Sequence, residues 1–199
     1  MLTKCNYKGV SGTSVAQDFV ELPSQIMEHW AVEPEVLKLY AKHYETREVI
    51  PDELITKIQN QGTFNQGFMT TELLAAALLD MELHNLTDTE NLNVVAFEKE
   101  TMDKLGLIPE IAPRYRATYF SHIIGGYAAG YYSYLWAEVL DTDAFEAFKE
   151  HGVFDKNTAD SFRKNILEKG GTEDPMTLYR GFRGADPSLE PLLKNRGLK

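Results

Sequence analysis

Apolar residues recur at three- and four-residue steps along most of this chain, the period of helices that bury one face. Val15, Phe19, Leu22, Ile26 and Trp30 predict an amphipathic helix over 14–32. Pro23 falls inside that span and should kink it, because its ring removes a backbone hydrogen bond and crowds the preceding turn. Pro34 opens a second helix, to about Glu45, and Pro51-Asp52-Glu53 opens a third that Gly62 ends. Asn65 to Asn85 carries the run TTELLAAALLDMEL, and Asn91 to Leu105 follows, closed by Gly106. Pro109 and Pro113 bracket an irregular link. Residues 114–121 alternate loosely and predict at most a short strand. Beyond Gly125-Gly126 a long helix is expected from Tyr127 to His151. Three short helices follow at 157–169, 175–182 and 189–195, each bounded by Gly or Pro. The expected fold is all-α, about eight or nine helices, with no repeat and no linker long enough to separate two domains.

Composition narrows the partners more than the fold. Hydrophobic residues make up 43% and charged residues 25% of 199 positions, ordinary for a globular protein of one domain. A formal charge of −10 opposes binding to nucleic acid or to an anionic membrane surface. Cys5 is the single cysteine, so no internal disulfide forms and nothing points to an oxidising compartment. The N-terminal MLTKCNYKGV lacks an apolar core of signal-peptide length, and the longest apolar run, near Leu73–Leu79, is too short to span a bilayer. A cytoplasmic protein is expected.

Candidate chemistry concentrates between Thr118 and Leu140, TYFSHIIGGYAAGYYSYLWAEVL. His122 and the pair Gly125-Gly126 precede Tyr127, Tyr131 and Tyr134, which one helical face would carry. An aromatic stripe at this spacing is ordinarily core. A buried tyrosine hydroxyl nonetheless needs a partner, and three in one row suit a cleft whose ligand supplies partners. A second cluster lies in SGTSVAQDFVELPSQIMEHW, where Asp18, Glu21 and Glu28 share one side of the expected helix. Such carboxylates ordinarily face water; the sharper alternative is metal ligation. The five histidines, 29, 43, 84, 122 and 151, include no two at ligand spacing, and H-E-x-x-H is absent. Local motifs alone therefore build no zinc site.

Three of these stretches, DFVELPSQIMEHW, HIIGGYAAGYYSYLWAEVLDTDAF and the tail LEPLLKNRGL, resemble the C-terminal part of the thimet oligopeptidase and peptidyl-dipeptidase family of zinc metallopeptidases. The likeness covers the whole chain, and the tyrosine segment is most similar to the bacterial peptidyl-dipeptidase branch. It implies a multi-helical portion of a zincin-type catalytic domain over 1–199 that begins just after H-E-x-x-H. It implies Glu21 as the third zinc ligand, His122, Tyr127 and Tyr134 as catalytic residues, and Tyr131, Gly125 and Gly126 as substrate-binding residues. It also implies hydrolysis of peptides with release of C-terminal dipeptides. In the complete enzyme the zinc activates a water, the H-E-x-x-H glutamate moves its proton, and the tyrosines and His122 bind the substrate backbone and the oxyanion. The departure from the family pattern is the missing pair of histidine ligands and the base. The expectation is a fragment that is inactive and zinc-free alone, that pairs with a missing N-terminal part, and that self-associates through exposed apolar surface. The alternative is a non-catalytic helical module that binds a peptide or partner in the same groove.

Overall fold

The computed structural model describes residues 2–199 and is all-α. Among these residues nine α-helices form: α1 Leu22–Val32, α2 Pro34–Tyr40, α3 Asp52–Thr63, α4 Gln66–His84, α5 Val94–Lys104, α6 Ser133–His151, α7 Lys156–Phe162, α8 Pro175–Arg183 and α9 Glu190–Asn195. No strand occurs among them; the only β pairing there is one isolated bridge between Lys42 and Val49.

Proline marks helix starts throughout. α1, α2, α8 and α9 each carry a proline in the first two positions, where no backbone N–H is needed. This corrects the kink expected at Pro23. α1 begins at Leu22, residues 17–21 are turns, and Pro23 initiates the helix. Side-chain caps begin α5, α7 and α8: Asn93 accepts from Ala96 N, Asp155 from Thr158 N, and Asp174 from Met176 N and Thr177 N. α7 runs on into a π-helical segment, Arg163–Leu167. Gly62, expected to stop α3, lies within it.

The short strand considered at 114–121 is also corrected. Residues 111–117 alternate between half-buried and exposed, overlapping only the start of that stretch. No neighbouring strand pairs with them, and the chain enters 3₁₀ turns at Ala117–Tyr119 and Ser121–Ile124.

The chain divides into two compact units. One comprises the chain through Phe64 together with Trp136–Lys199, the other Asn65–Leu135. The core of the first joins Leu22 and Ile26 of α1 with Leu140, Ala144, Phe145 and Phe148 of α6, and with Phe162, Ile166, Leu178 and Tyr179. Trp30 meets Phe145 and Phe148 edge-on at 4.6 and 4.7 Å and donates its indole N–H to Val153 O at 2.8 Å. Tyr179, fully buried, donates to Asp143 Oδ2 at 2.6 Å. In the second unit, α4 presents Ala76 and Ala77 to Phe120, Ile123 and Tyr131, and Ala75 and Leu79 to Met102 of α5. The small alanines let these larger groups approach the helix backbone closely.

Two predictions follow from the first unit. An added Cβ at Gly170, whose φ is +54°, would lie 2.3 Å from Val10 O, whereas one at Gly62 would meet nothing within 4 Å. Gly170→Ala should therefore lower stability by about 1–3 kcal/mol or more. Gly62→Ala, at a helical position, should raise it by about 0.4–1 kcal/mol. Urea denaturation of both variants distinguishes them.

The second concerns Asp141, 2% exposed, whose Oδ1 lies 2.6 Å from His29 Nε2. Burial pushes its carboxyl from 3.8 up to about 6, against the opposing hydrogen bond and charge of His29. A raised carboxyl favours the neutral form in the folded state. Its contribution is complete below the unfolded value and is lost as pH rises through about 6, on the order of 2–3 kcal/mol. Unfolding free energy measured between about pH 3.5 and pH 7 should carry this falling component, and Asp141→Asn should remove it.

Candidate active site

The predicted site residues near the Gly-Gly turn come together in the second unit, by a route other than a helical face. Between Gly125 and Tyr132 the chain passes through successive turns, and α6 starts only at Ser133. Ala128, Gly130, Ser133 and Tyr134 donate to carbonyls three residues back rather than four. Ala129 adopts the left-handed conformation, φ 51°. The helix expected from Tyr127 is thus corrected to turns followed by α6.

That detour decides the geometry. In a regular helix, residues seven apart are displaced about 10.5 Å along the axis. Here the rings of Tyr127 and Tyr134 stack at 5.0 Å, with 14° between their planes. His122 meets both edge-on, at 5.9 and 6.1 Å, and Tyr131 at 5.3 Å. His122, Tyr127 and Tyr134 are half-buried, with part of each open to solvent. His122 Nδ1 is buried and has no protein hydrogen-bond partner.

Tyr131 differs from its neighbours. It is 3% exposed and packs edge-on against Phe120 at 4.9 Å, within the core of the unit. Burial pushes its hydroxyl up to about 12, only partly offset by Arg114, so it stays a neutral phenol. The bland reading of an aromatic stripe therefore fits Tyr131, while Tyr127 and Tyr134 form the more open pair. Gly125 and Gly126 are exposed, and an added Cβ at either would make no close contact within the chain. Their backbone is open to an approaching extended ligand. An open groove lined by Thr118, Tyr119, Phe120, Ile124 and Gly125 runs beside them.

Two buried carboxylates hold this loop, and neither was singled out from the sequence. Asp80 of α4 has no exposed surface and accepts from Ala129 N at 3.0 Å and Tyr131 N at 2.9 Å. Its Oδ1 also lies 2.9 Å from His84 Nδ1. Glu98 of α5, 3% exposed, accepts from Ala117 N at 2.8 Å and pairs with Arg116 Nε. The available signal was an acid embedded in an apolar helical run, such as Asp80 within LLAAALLDMEL, which must find donors if it is buried.

Glu21 belongs to the first unit. It is half-buried at the N-cap of α1, where its carbonyl accepts from Gln25 N at 2.9 Å and its carboxylate from Ser24 Oγ at 2.6 Å. Asp18 is half-buried and Glu28 exposed. Among the described residues, no three His, Cys, Asp or Glu side chains gather so as to hold a metal ion. The residues present therefore do not constitute a zinc site by themselves. Of the arginines, Arg116 pairs with Glu98, Arg180 with Asp186 at 2.6 Å and Arg183 with Glu150 at 3.0 Å, while Arg114 lies 6.0 Å over the Tyr115 ring.

The model of peptidase family M3 matches residues 1–198. The chain belongs to peptidase family M3. It is 45% identical over 205 residues to dipeptidyl carboxypeptidase of Escherichia coli (strain K12), an alignment covering all of this chain and 30% of the relative. It is 42% identical over 202 residues to oligopeptidase A of the same organism, again all of this chain and 30% of the relative. The organellar oligopeptidase A of Arabidopsis thaliana is 42% identical over 205 residues, all of this chain and 26% of the relative. The chain thus spans less than a third of the length of these family M3 relatives.

Glu98→Gln should weaken the anchoring of the loop entrance by removing charge from a buried hydrogen-bonded pair. The expected loss is about 1–3 kcal/mol in urea denaturation, with faster hydrogen exchange at the Ala117 amide. Unchanged exchange at Ala117 would contradict this role.

Proposed function

We propose that this chain forms the C-terminal part of the catalytic domain of a zinc metallopeptidase that hydrolyses peptides and releases C-terminal dipeptides. Membership of family M3 along residues 1–198 carries the proposal. The name of the relative at 45% identity, dipeptidyl carboxypeptidase, supports dipeptide release. The absence of H-E-x-x-H means that two zinc ligands and the base would come from sequence outside these 199 residues. Glu21 would supply the remaining ligand. The same proposal includes a cytoplasmic setting, in keeping with a relative named as a probable cytosolic oligopeptidase A. It also includes self-association of the 199-residue chain, which the exposed Phe68, Met69, Leu74, Leu78 and Met81 of α4 support.

The chemistry assigned to this chain is recognition and charge stabilisation. Tyr127 and Tyr134 offer phenolic hydroxyls on one half-buried wall, held parallel by their stacking. Such donors, fixed before the substrate arrives, stabilise the oxyanion that develops at the scissile carbonyl. His122 is half-buried and meets both tyrosine rings edge-on, so its ring borders the wall that the peptide would face. Tyr131 contributes the buried floor on which His122 and Tyr134 rest. Gly125 and Gly126 leave the backbone open to the peptide main chain.

In the intact enzyme, Tyr134→Phe should lower kcat about 100- to 1,000-fold with zinc content unchanged. Glu21→Gln should reduce bound zinc by elemental analysis, and the 199-residue chain alone should hydrolyse no peptide. Full zinc occupancy in Glu21→Gln together with undiminished kcat in Tyr134→Phe would overturn the assignment.

A further inference from the structure

A carboxylate with no solvent exposure is costly unless donors surround it. Asp80 is such a group, set among Ala75, Ala76, Ala77 and Leu79, where an apolar residue would fill the same helical position. Its donors explain it. Ala129 N and Tyr131 N donate to one oxygen each, at 3.0 and 2.9 Å, and His84 Nδ1 lies 2.9 Å from both Asp80 O and Oδ1. The two amides flank the buried Gly130 and lie between Tyr127 and Tyr134 in the chain.

A helix begun at Tyr127 would turn the Tyr131 amide toward Tyr127 O and leave the Ala129 amide among its unsatisfied first-turn donors. Asp80 accepts from both amides, and Ala129 adopts the left-handed conformation. The shortcut so created lets the Tyr127 and Tyr134 rings stack at 5.0 Å, an approach that a continuous helix would not provide.

We propose that Asp80 is a positioning residue: its buried carboxylate clamps the 129–131 turn and thereby sets Tyr127 and Tyr134 as a paired hydrogen-bond-donating wall. This rests on the peptidase reading of those tyrosines. The clamp itself is a property of the turn, and it is measurable without substrate.

The test uses the intact, metal-loaded peptidase carrying Asp80→Asn, which keeps the shape and replaces one accepting oxygen with a donor. Hydrogen exchange at Ala129 and Tyr131 should accelerate, and zinc content should stay unchanged. kcat should fall on the order of 100-fold, with KM within about threefold, because donor placement matters most in the transition state. Asp143→Asn is the control: it disturbs another buried acid, the partner of Tyr179, and should lower Tm while leaving kcat intact. Should Asp80→Asn fail to fold, His84→Gln loosens the same carboxylate without removing it, and the same readings decide at smaller amplitude. Unchanged exchange at both amides overturns the clamp. Accelerated exchange with kcat no lower than in Asp143→Asn overturns the positioning role. If Tyr134→Phe leaves kcat intact, the peptidase reading of that tyrosine fails separately, and exchange alone judges the clamp.

Discussion

One buried carboxylate organises the part of this protein that bears chemistry. Asp80 sits on an otherwise apolar stretch of α4 and accepts two backbone N–H groups from a turn nearly fifty residues further on. Without those acceptors, two inward-facing amides would be unsatisfied in an alanine- and leucine-lined interior. With them, the chain is held out of helical register just long enough to fold two tyrosine rings against each other. Glu98 performs the equivalent service at the other end of the loop, through Ala117 and Arg116. The loop is therefore fixed at both ends by charge-assisted hydrogen bonds rather than by hydrophobic packing alone.

The first unit uses buried polar pairs differently. Tyr179 with Asp143, and His29 with Asp141, tie helices together inside an aromatic core. His29 also stacks on Phe145 at 4.7 Å, so its ring serves as core material on one side and a hydrogen-bonding group on the other. Here burial outweighs pairing, and the Asp141 carboxyl is pushed up to about 6. Asp80 and Glu98 instead spend their acceptor capacity on backbone amides, the groups a loop must satisfy to remain irregular and still be buried.

Family M3 relatives are more than three times the length of this chain, and the division of labour between this portion and the rest follows from the residues it holds. It carries tyrosine hydroxyls on a half-buried wall and exposed glycine backbone, the groups suited to gripping a peptide and a developing negative charge. It gathers no metal-binding cluster among its described residues. In the proposed enzyme this portion supplies the tyrosine wall and one zinc ligand, Glu21, and the remaining ligands and the base come from the rest of the chain.

Periodicity was enough to predict an all-α chain, because each helix must bury one stripe and the spacing of apolar residues records it. Proline recorded the helix starts, although at Pro23 it was read as a kink; the first-turn and interior readings differ only in whether the preceding residues are helical, and residues 17–21 are turns. Residue identity also marked Glu21, His122, Tyr127 and Tyr134 as candidates, since the family motifs are contiguous in sequence. What the sequence did not reveal was how the tyrosines meet. Spacing of four and seven suggested a helical face, and the true arrangement depends on Asp80 and Glu98, whose hydrogen bonds reach across 49 and 19 residues. A contact of that length leaves no periodic trace, because only the folded chain decides which distant amides a buried carboxylate will find.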